Sequence, residues 1–217
     1  MPSVATILAR KPRRARLNNN VFVNCPFDED YRTCLEAIVF AIEMANYDVR
    51  CALEEHDGGD IRLDKLCRMI AQCDRSIHDL SRVELNENSL PRFNMPFELG
   101  LVIGAKRFGS ERQRSKSAVI MVSEPYRLPI YLSDLGGNDP LAHRGNASSI
   151  VRIVRDSLHR YPSGQPLPGA THLTKILRQF YSDLPRLARA ARLTMEEVHP
   201  FRGYRNFLVP RYFTWVA

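Results

Sequence analysis

Strand-like and helix-like apolar patterns alternate along this chain, and no other feature limits its possible folds as strongly. Residues 20–27 form a short run of β-branched and aromatic residues, typical of a buried strand. Similar runs cover residues 48–53, 75–80 and 117–122. Because parallel strands are joined by right-handed helical crossovers, this alternation predicts an α/β fold with a parallel sheet.

Helical spacing of apolar residues fills the intervals between these strands. One helix is predicted to open near Asn94 with Pro96 in its first turn, where the missing N–H costs nothing. Ser149 is a candidate cap for a later helix, and Thr194 with Glu197 has the spacing of a capping box. The remaining helices are predicted over residues 31–46, 63–73 and 173–187.

Charge divides the chain into parts. Residues 10–16 carry five positive charges, residues 17–146 carry 15 basic and 20 acidic side chains, and residues 147–217 carry 11 and 4. We therefore expect a basic arm over residues 1–17, an α/β domain over 18–161, and a linker with a helical and aromatic extension over 162–217. The apolar stripe of that extension predicts that it docks on the α/β body or on a second subunit.

Length and composition exclude several classes of protein. A chain of 217 residues can bury a full core without a metal or disulfide. No apolar run approaches the roughly 20 residues of a membrane span. The five cysteines contain no CxxC pair, and no cluster has metal-ligand spacing. We expect a reduced, cytoplasmic protein with no metal and no membrane contact.

Polar residues recur where the predicted strands end. Open parallel sheets bind ligands beyond the carboxyl ends of their strands, so these residues are candidate site residues. They are Asn24, Pro26, Phe27 and Asp28 after the first strand, Asp57 after the second, and Asp79 and Ser81 after the third. Asp79 has two open interpretations, since its carboxylate could bind a ribose hydroxyl or cap the next turn. No GxGxxG or GxxxxGK[ST] motif is present.

Glu98 lies between Phe97 and Leu99 near the predicted start of a helix. The helix dipole favours a carboxylate in the first turn, so we expect Glu98 to be ionised at neutral pH. An ionised carboxylate could act as a nucleophile or stabilise the positive charge that develops on a ribose during glycosidic cleavage. The alternative is a surface glutamate that the helix dipole alone favours.

Three segments together resemble bacterial TIR-like domains and their relatives, the nucleoside 2-deoxyribosyltransferase-like proteins. The segments are VFVNCPFDEDY (21–31), CDRSIHDLS (73–81) and NMPFELGLVIG (94–104). The resemblance spans about residues 20–125 and implies a flavodoxin-like, doubly wound parallel sheet. Two features depart from the TIR pattern: the first strand ends in NCPF instead of a serine-rich turn, and residues 82–93 form an insertion.

The resemblance implies roles for individual residues. Glu98 would be the catalytic residue that attacks or stabilises the anomeric carbon of a ribose. Asp79 would hold sugar hydroxyls or orient the base, and the loop at 24–27 would cover the substrate. The substrate-binding set that we predict is Asn24, Pro26, Phe27, Asp28, Asp57, Asp79, Ser81 and Asn94.

Three functions are compatible with these observations. The first is an enzyme that cleaves the N-glycosidic bond of NAD or a related nucleotide, which is its substrate and not a cofactor. The resemblance implies that such a protein serves in bacterial anti-phage defence or stress and is activated by assembly, as a homo-oligomer or with a partner defence protein. The second is a catalytically silent TIR-like module that binds a nucleotide signal or assembles with partners. The third is a nucleic-acid-binding protein that uses the basic residues 10–16.

Overall fold

The computed structural model describes residues 19–54, 59–82, 93–125, 130–135, 137–209 and 212. Its strands are β1 Asn20–Asn24, β2 Asp48–Arg50, β3 Arg75–Asp79, β4 Ser117–Val122 and β5 Leu141–Ala142. Its helices are α1 Arg32–Met44, α2 Arg62–Gln72, α3 Asn94–Phe108, α4 Glu111–Arg114, α5 Ala147–Leu158, α6 Ala170–Ala190 and α7 Met195–Val198. Two 3-10 turns, Glu29–Tyr31 and Ile130–Leu135, and a π-helical turn, Gly203–Leu208, complete the described elements.

All five strands are parallel, in the order β2-β1-β3-β4-β5. This is the flavodoxin-like, doubly wound arrangement, so the predicted fold class is confirmed. The side chains of β1 alternate between two apolar layers. Val21 and Val23 pack with α1, α5 and α6 on one face, and Phe22 packs with α2 on the other.

Most predicted boundaries hold within a few residues. The first strand ends at Asn24 and not at residue 27, because the chain turns into the 3-10 segment that Asp28 caps. The capping box of Thr194 and Glu197 is confirmed. The prediction that Ser149 caps α5 is wrong: Asn146 accepts hydrogen bonds from the backbone N–H groups of Ser148 and Ser149.

The C-terminal third packs on the α/β body. Phe180 of α6 lies against Phe40 of α1 with ring centroids 5.3 Å apart, and Tyr204 and Tyr212 meet it edge-on at 5.6 and 4.9 Å. All four rings belong to one buried cluster. The expectation that residues 170–192 dock on the body is therefore confirmed.

Helix α1 contains two buried glutamates that depend on the C-terminal segment. His199 Nδ1 lies 3.2 Å from the Glu36 carboxylate, and Arg205 Nε donates to Glu43 at 2.9 Å. Glu36 and Glu43 are seven residues apart, so they lie on one face of α1. Because an unpaired buried carboxylate is costly, the C-terminal segment provides polar partners as well as apolar contact.

No helix among the described residues is long and apolar enough to cross a membrane. The predicted arm at 1–17 lies outside the described residues.

Replacing Phe180 with alanine tests how much the packing of α6 contributes. Phe180 is fully buried, so Phe180→Ala should lower the free energy of unfolding by about 3–5 kcal/mol. Phe108 is 90% exposed, so the matched change Phe108→Ala should have an effect within about 0.5 kcal/mol. Urea denaturation measures both. Equal effects of the two substitutions would show that α6 does not contribute to the core.

Candidate functional site

The sheet brings several predicted site residues to one edge. Asn24 ends β1 and Asp79 ends β3, and the two parallel strands pair side by side. Glu98 lies near the start of α3, which contacts both strands. This is the carboxyl edge, where ligands of open parallel sheets bind.

Asp79 is fully buried and accepts hydrogen bonds from three separate parts of the chain. The Tyr31 hydroxyl, just before α1, donates to Oδ2. His143, just after β5, places Nε2 2.9 Å from the same oxygen. The backbone N–H of Ser81 donates to Oδ1 at 2.8 Å. The carboxylate therefore ties together three segments that are distant in sequence.

These donors keep Asp79 ionised despite its burial. Burial alone raises the pKa of a carboxyl, but the hydrogen bonds that Asp79 accepts from His143, Ser81 and Tyr31 outweigh this effect. The pKa of Asp79 is consequently below its usual value. Of the two interpretations of Asp79, the structure shows the turn cap, since Ser81 is its i+2 neighbour. Contact with a sugar hydroxyl stays a prediction.

His143 has a defined tautomer that excludes a serine-nucleophile relay. The backbone N–H of Gly145 donates to His143 Nδ1 at 3.0 Å, so the ring proton is on Nε2. Ser81 Oγ, at 2.8 Å, and Asp79 both face that same Nε2. A relay needs the acid and the nucleophile on opposite ring nitrogens. Ser81 is thus not activated as a nucleophile.

Asn24 links the sheet to α3 through a buried hydrogen-bond pair. Its Nδ2 donates to the carbonyl of Met95 at 2.8 Å and lies 3.1 Å from His78 Nδ1. Burial lowers the pKa of His78 to about 3, so its ring is neutral, with Nδ1 as acceptor and the proton on Nε2. Asn24 is only 2% exposed and uses both amide hydrogens here. Its observed role is to position the start of α3.

Glu98 is the fifth residue of α3, beyond the first turn in which we expected it. The Glu98 side chain is 5% exposed. The closest described cation is the guanidinium of Arg62, 3.8 Å away on a side chain that is 66% exposed. Burial raises the pKa of Glu98 to about 7, although the charge of Arg62 acts to lower it. The expectation of full ionisation at neutral pH is therefore wrong, because the helix dipole weakens beyond the first turn and burial dominates.

The other predicted residues surround this edge. Pro26 is buried, and Phe27 is half-buried against the cores of both sheet faces. Asp28 caps the 3-10 turn by accepting from the Tyr31 backbone N–H at 3.1 Å, and it pairs with Arg82 at 3.3 Å. Asn94 is exposed as the first residue of α3. Asp57 lies outside the described residues.

Two residues of the site were not predicted as such. For Tyr31 the sequence predicts only that it lies in the helix over residues 31–46, and for His143 it predicts no role. His143 follows β5, a two-residue strand with no sequence pattern of its own, and it lies 64 residues beyond Asp79. No local spacing could have joined the two.

The site offers no metal or thiol chemistry in the part of the chain that the structure describes. No group of three or more His, Cys, Asp or Glu there could hold a metal ion. Cys25 is buried at this edge, and burial together with the charge of Asp79 raises the pKa of its thiol well above the usual value. It is therefore a neutral thiol and a poor nucleophile.

The chain matches no protein-family model, and no curated protein matches it significantly.

Glu98→Gln should stabilise the protein in a pH-dependent way. The folded-state pKa of about 7 exceeds the ordinary value of 4.5, so wild-type stability falls as pH rises through this interval. Glutamine carries no proton to lose. The stability difference between the variant and the wild type should therefore grow by roughly 2–3 kcal/mol between about pH 5 and pH 8. Urea denaturation at both pH values measures it, and a pH-independent difference would contradict the buried, titrating Glu98.

Proposed function

We propose that this chain is an enzyme that cleaves the N-glycosidic bond of NAD or a related nucleotide, with Glu98 as the catalytic carboxyl. One observation carries the proposal: a nearly buried carboxyl with a pKa of about 7 lies at the ligand-binding edge of a parallel sheet. Its ionisation close to neutral pH suits a group that must be charged in the transition state and yet be held in an apolar environment. The sequence resemblance to TIR-like and deoxyribosyltransferase-like proteins supports the same role.

The ionised Glu98 would face the anomeric carbon of the ribose. As the bond between this carbon and the base nitrogen breaks, the electron pair leaves with the base and positive charge develops on the sugar. The carboxylate stabilises that charge or forms an ester with the carbon. Water then adds to the anomeric carbon and releases a proton, and Glu98 returns to its ionised form.

The ionisation states at the site favour a positively charged leaving base. Asp79 is ionised and accepts hydrogen bonds on both oxygens, so it has no proton to donate. A nicotinamide ring carries its own positive charge and departs as a neutral molecule without a proton donor. A neutral purine would need a general acid while Glu98 serves as the carboxylate. NAD therefore suits this site better than a purine nucleoside.

Arg62 is the side chain placed to meet the phosphates of such a substrate. Its side chain is 66% exposed, and its guanidinium lies 3.8 Å from the Glu98 carboxyl. Guanidinium groups pair strongly with phosphate oxygens. Phe97 is 53% exposed on the same helix as Glu98 and offers a ring on which a base could stack. The phosphate would then pair with Arg62, the base would stack on Phe97, and the sugar would face Glu98.

Assembly, defence activity and cytoplasmic location belong to the proposal through the resemblance. A structural observation also supports assembly: large apolar side chains are exposed at the starts of α2 and α3, beside Arg62 and Glu98. They are Ile61, Leu63 and Phe93. A homo-oligomer or a partner protein could cover them. The basic residues 10–16 lie outside the described residues, so nucleic-acid binding stays a prediction.

Nucleotide cleavage by the purified full-length protein tests this function. Release of nicotinamide from NAD should fall at least about a hundredfold in Glu98→Gln, the loss typical of an active-site charge group. The matched control is Glu196→Gln, because Glu196 is an exposed acid in the first turn of α7. It should retain wild-type activity. Mass spectrometry of the products identifies the bond that is cleaved.

The dependence of kcat/KM on pH shows whether Glu98 acts as an ionised carboxylate or as a proton donor. If the ionised form acts, kcat/KM should rise with pH and reach half its maximum at about pH 7. A profile that falls through this range would assign the protonated form and contradict the carboxylate mechanism. Nucleotide binding with no cleavage under any condition would instead support the silent module.

A further inference from the structure

A cleft opens at the opposite end of the sheet from Glu98. It encloses about 430 Å³ and lies where β1 and β3 begin, against the segment that follows α5. Arg75 and Asp79 are the first and last residues of β3, so this cleft and the carboxyl edge are separated by about 13 Å along the strand. Its lining residues include Tyr47, Asp74, Arg75, His159, Arg160 and Tyr161.

Arg75 presents a positive charge to this cleft. Its guanidinium carbon lies 5.1 Å from the centre of the Tyr47 ring, which holds the group by a cation–π contact. It makes no ion pair with any residue that the structure describes. The neighbouring carboxylate of Asp74 is engaged elsewhere, because Arg112 Nε donates to it at 3.0 Å.

Arg160 adds a second guanidinium to the lining. The Tyr47 hydroxyl donates to the carbonyl of Arg160 at 3.2 Å, and Arg160 Nη1 donates to the carbonyl of Gly164 at 2.9 Å. Within the described ranges Arg160 has no carboxylate partner. The cleft thus contains two positive charges, and its one carboxylate is already paired with Arg112.

One further feature of the lining is an unpaired polar group. The Tyr161 hydroxyl is buried and has no hydrogen-bond partner among the described residues, although an unpaired buried hydroxyl is costly. An unpaired buried polar group calls for an explanation, and a bound molecule that supplies the missing partner is one such explanation.

We propose that this cleft binds a phosphate-bearing small molecule of nucleotide size. The two guanidinium groups can donate paired N–H hydrogen bonds to phosphate oxygens. The bound molecule also gives the Tyr161 hydroxyl a polar partner. The volume falls within the range of small-molecule sites. Residues 10–16 precede the cleft-lining Asn19 closely in sequence, but they carry five positive charges and supply no anion.

Calorimetric titration of the full-length protein tests the site with AMP, inorganic phosphate and adenosine as probes. AMP should bind with a Kd tighter than about 1 mM, and adenosine, which lacks the phosphate, should bind at least tenfold more weakly. Arg75→Gln should weaken AMP binding about tenfold or more, as expected for a lost charge-assisted hydrogen bond. The matched control, Arg152→Gln, changes an exposed arginine of α5 outside the cleft and should leave binding unchanged.

Tyr161→Phe gives a readout that a purely structural role would not produce. Removing an unpaired buried hydroxyl should leave the melting temperature of the free protein equal or higher, yet weaken AMP binding. Inorganic phosphate bound as tightly as AMP would support the site and limit recognition to the phosphate group.

Four results would overturn the proposal: no binding of AMP or phosphate tighter than about 1 mM, equal affinity for adenosine and AMP, an unchanged Kd in Arg75→Gln, or an equal loss in Arg152→Gln. Glu98→Gln separates this site from the proposed catalytic one. AMP binding that is abolished by Glu98→Gln would place the ligand at the carboxyl edge and also contradict the second site. Because the two sites share none of these residues, either can fail without the other.

Discussion

The carboxyl edge of this protein depends on one buried charge, the Asp79 carboxylate. A buried carboxylate is tolerated only when its oxygens accept hydrogen bonds, and here the donors come from Tyr31, Ser81 and His143. These residues belong to the segment before α1, the turn after β3 and the segment after β5. Asp79 thereby fixes the geometry of the edge at which Glu98 lies, while its own oxygens are already occupied.

Glu98 has the opposite environment. Its only described cation is a largely exposed arginine at 3.8 Å, so burial outweighs the attraction and keeps its pKa near neutrality. The pKa values of these two carboxyl groups at one edge are therefore shifted in opposite directions. Asp79 stays ionised, whereas Glu98 titrates near neutral pH. A difference of this kind between two pKa values allows one acid to have a structural role and the other a chemical role.

Much of the fold could be predicted from the sequence, because period and composition are local properties. The β4 strand at Ser117–Val122 and the capping box at Thr194 illustrate this. The short strand β5 could not be predicted, since two residues carry no periodic signal and only pairing with β4 defines them. The sequence predicts Ser149 as the cap of α5, but Asn146, three residues earlier, is the residue that caps it.

The position of the candidate site could be predicted from the sequence, but the hydrogen-bond partners and pKa values of its residues could not. The ends of the strands identified Asn24 and Asp79, yet their hydrogen-bond partners lie far away in sequence. The pKa of Glu98 depends on burial, which neighbouring residue types do not reveal. The pairing of Glu36 and Glu43 with the C-terminal segment was also hidden, because their partners lie more than 160 residues away.

A pH titration of the folded protein followed by ¹³C NMR of the side-chain carboxyl carbons tests most directly whether the two acids ionise differently. Glu98→Gln and Asp79→Asn assign the signals. We expect Glu98 to titrate with a midpoint of about 7, and Asp79 to stay ionised down to a pH below its ordinary pKa of 3.8. A Glu98 midpoint near the ordinary value of 4.5 would contradict this expectation, because the carboxyl would then be a solvated surface group.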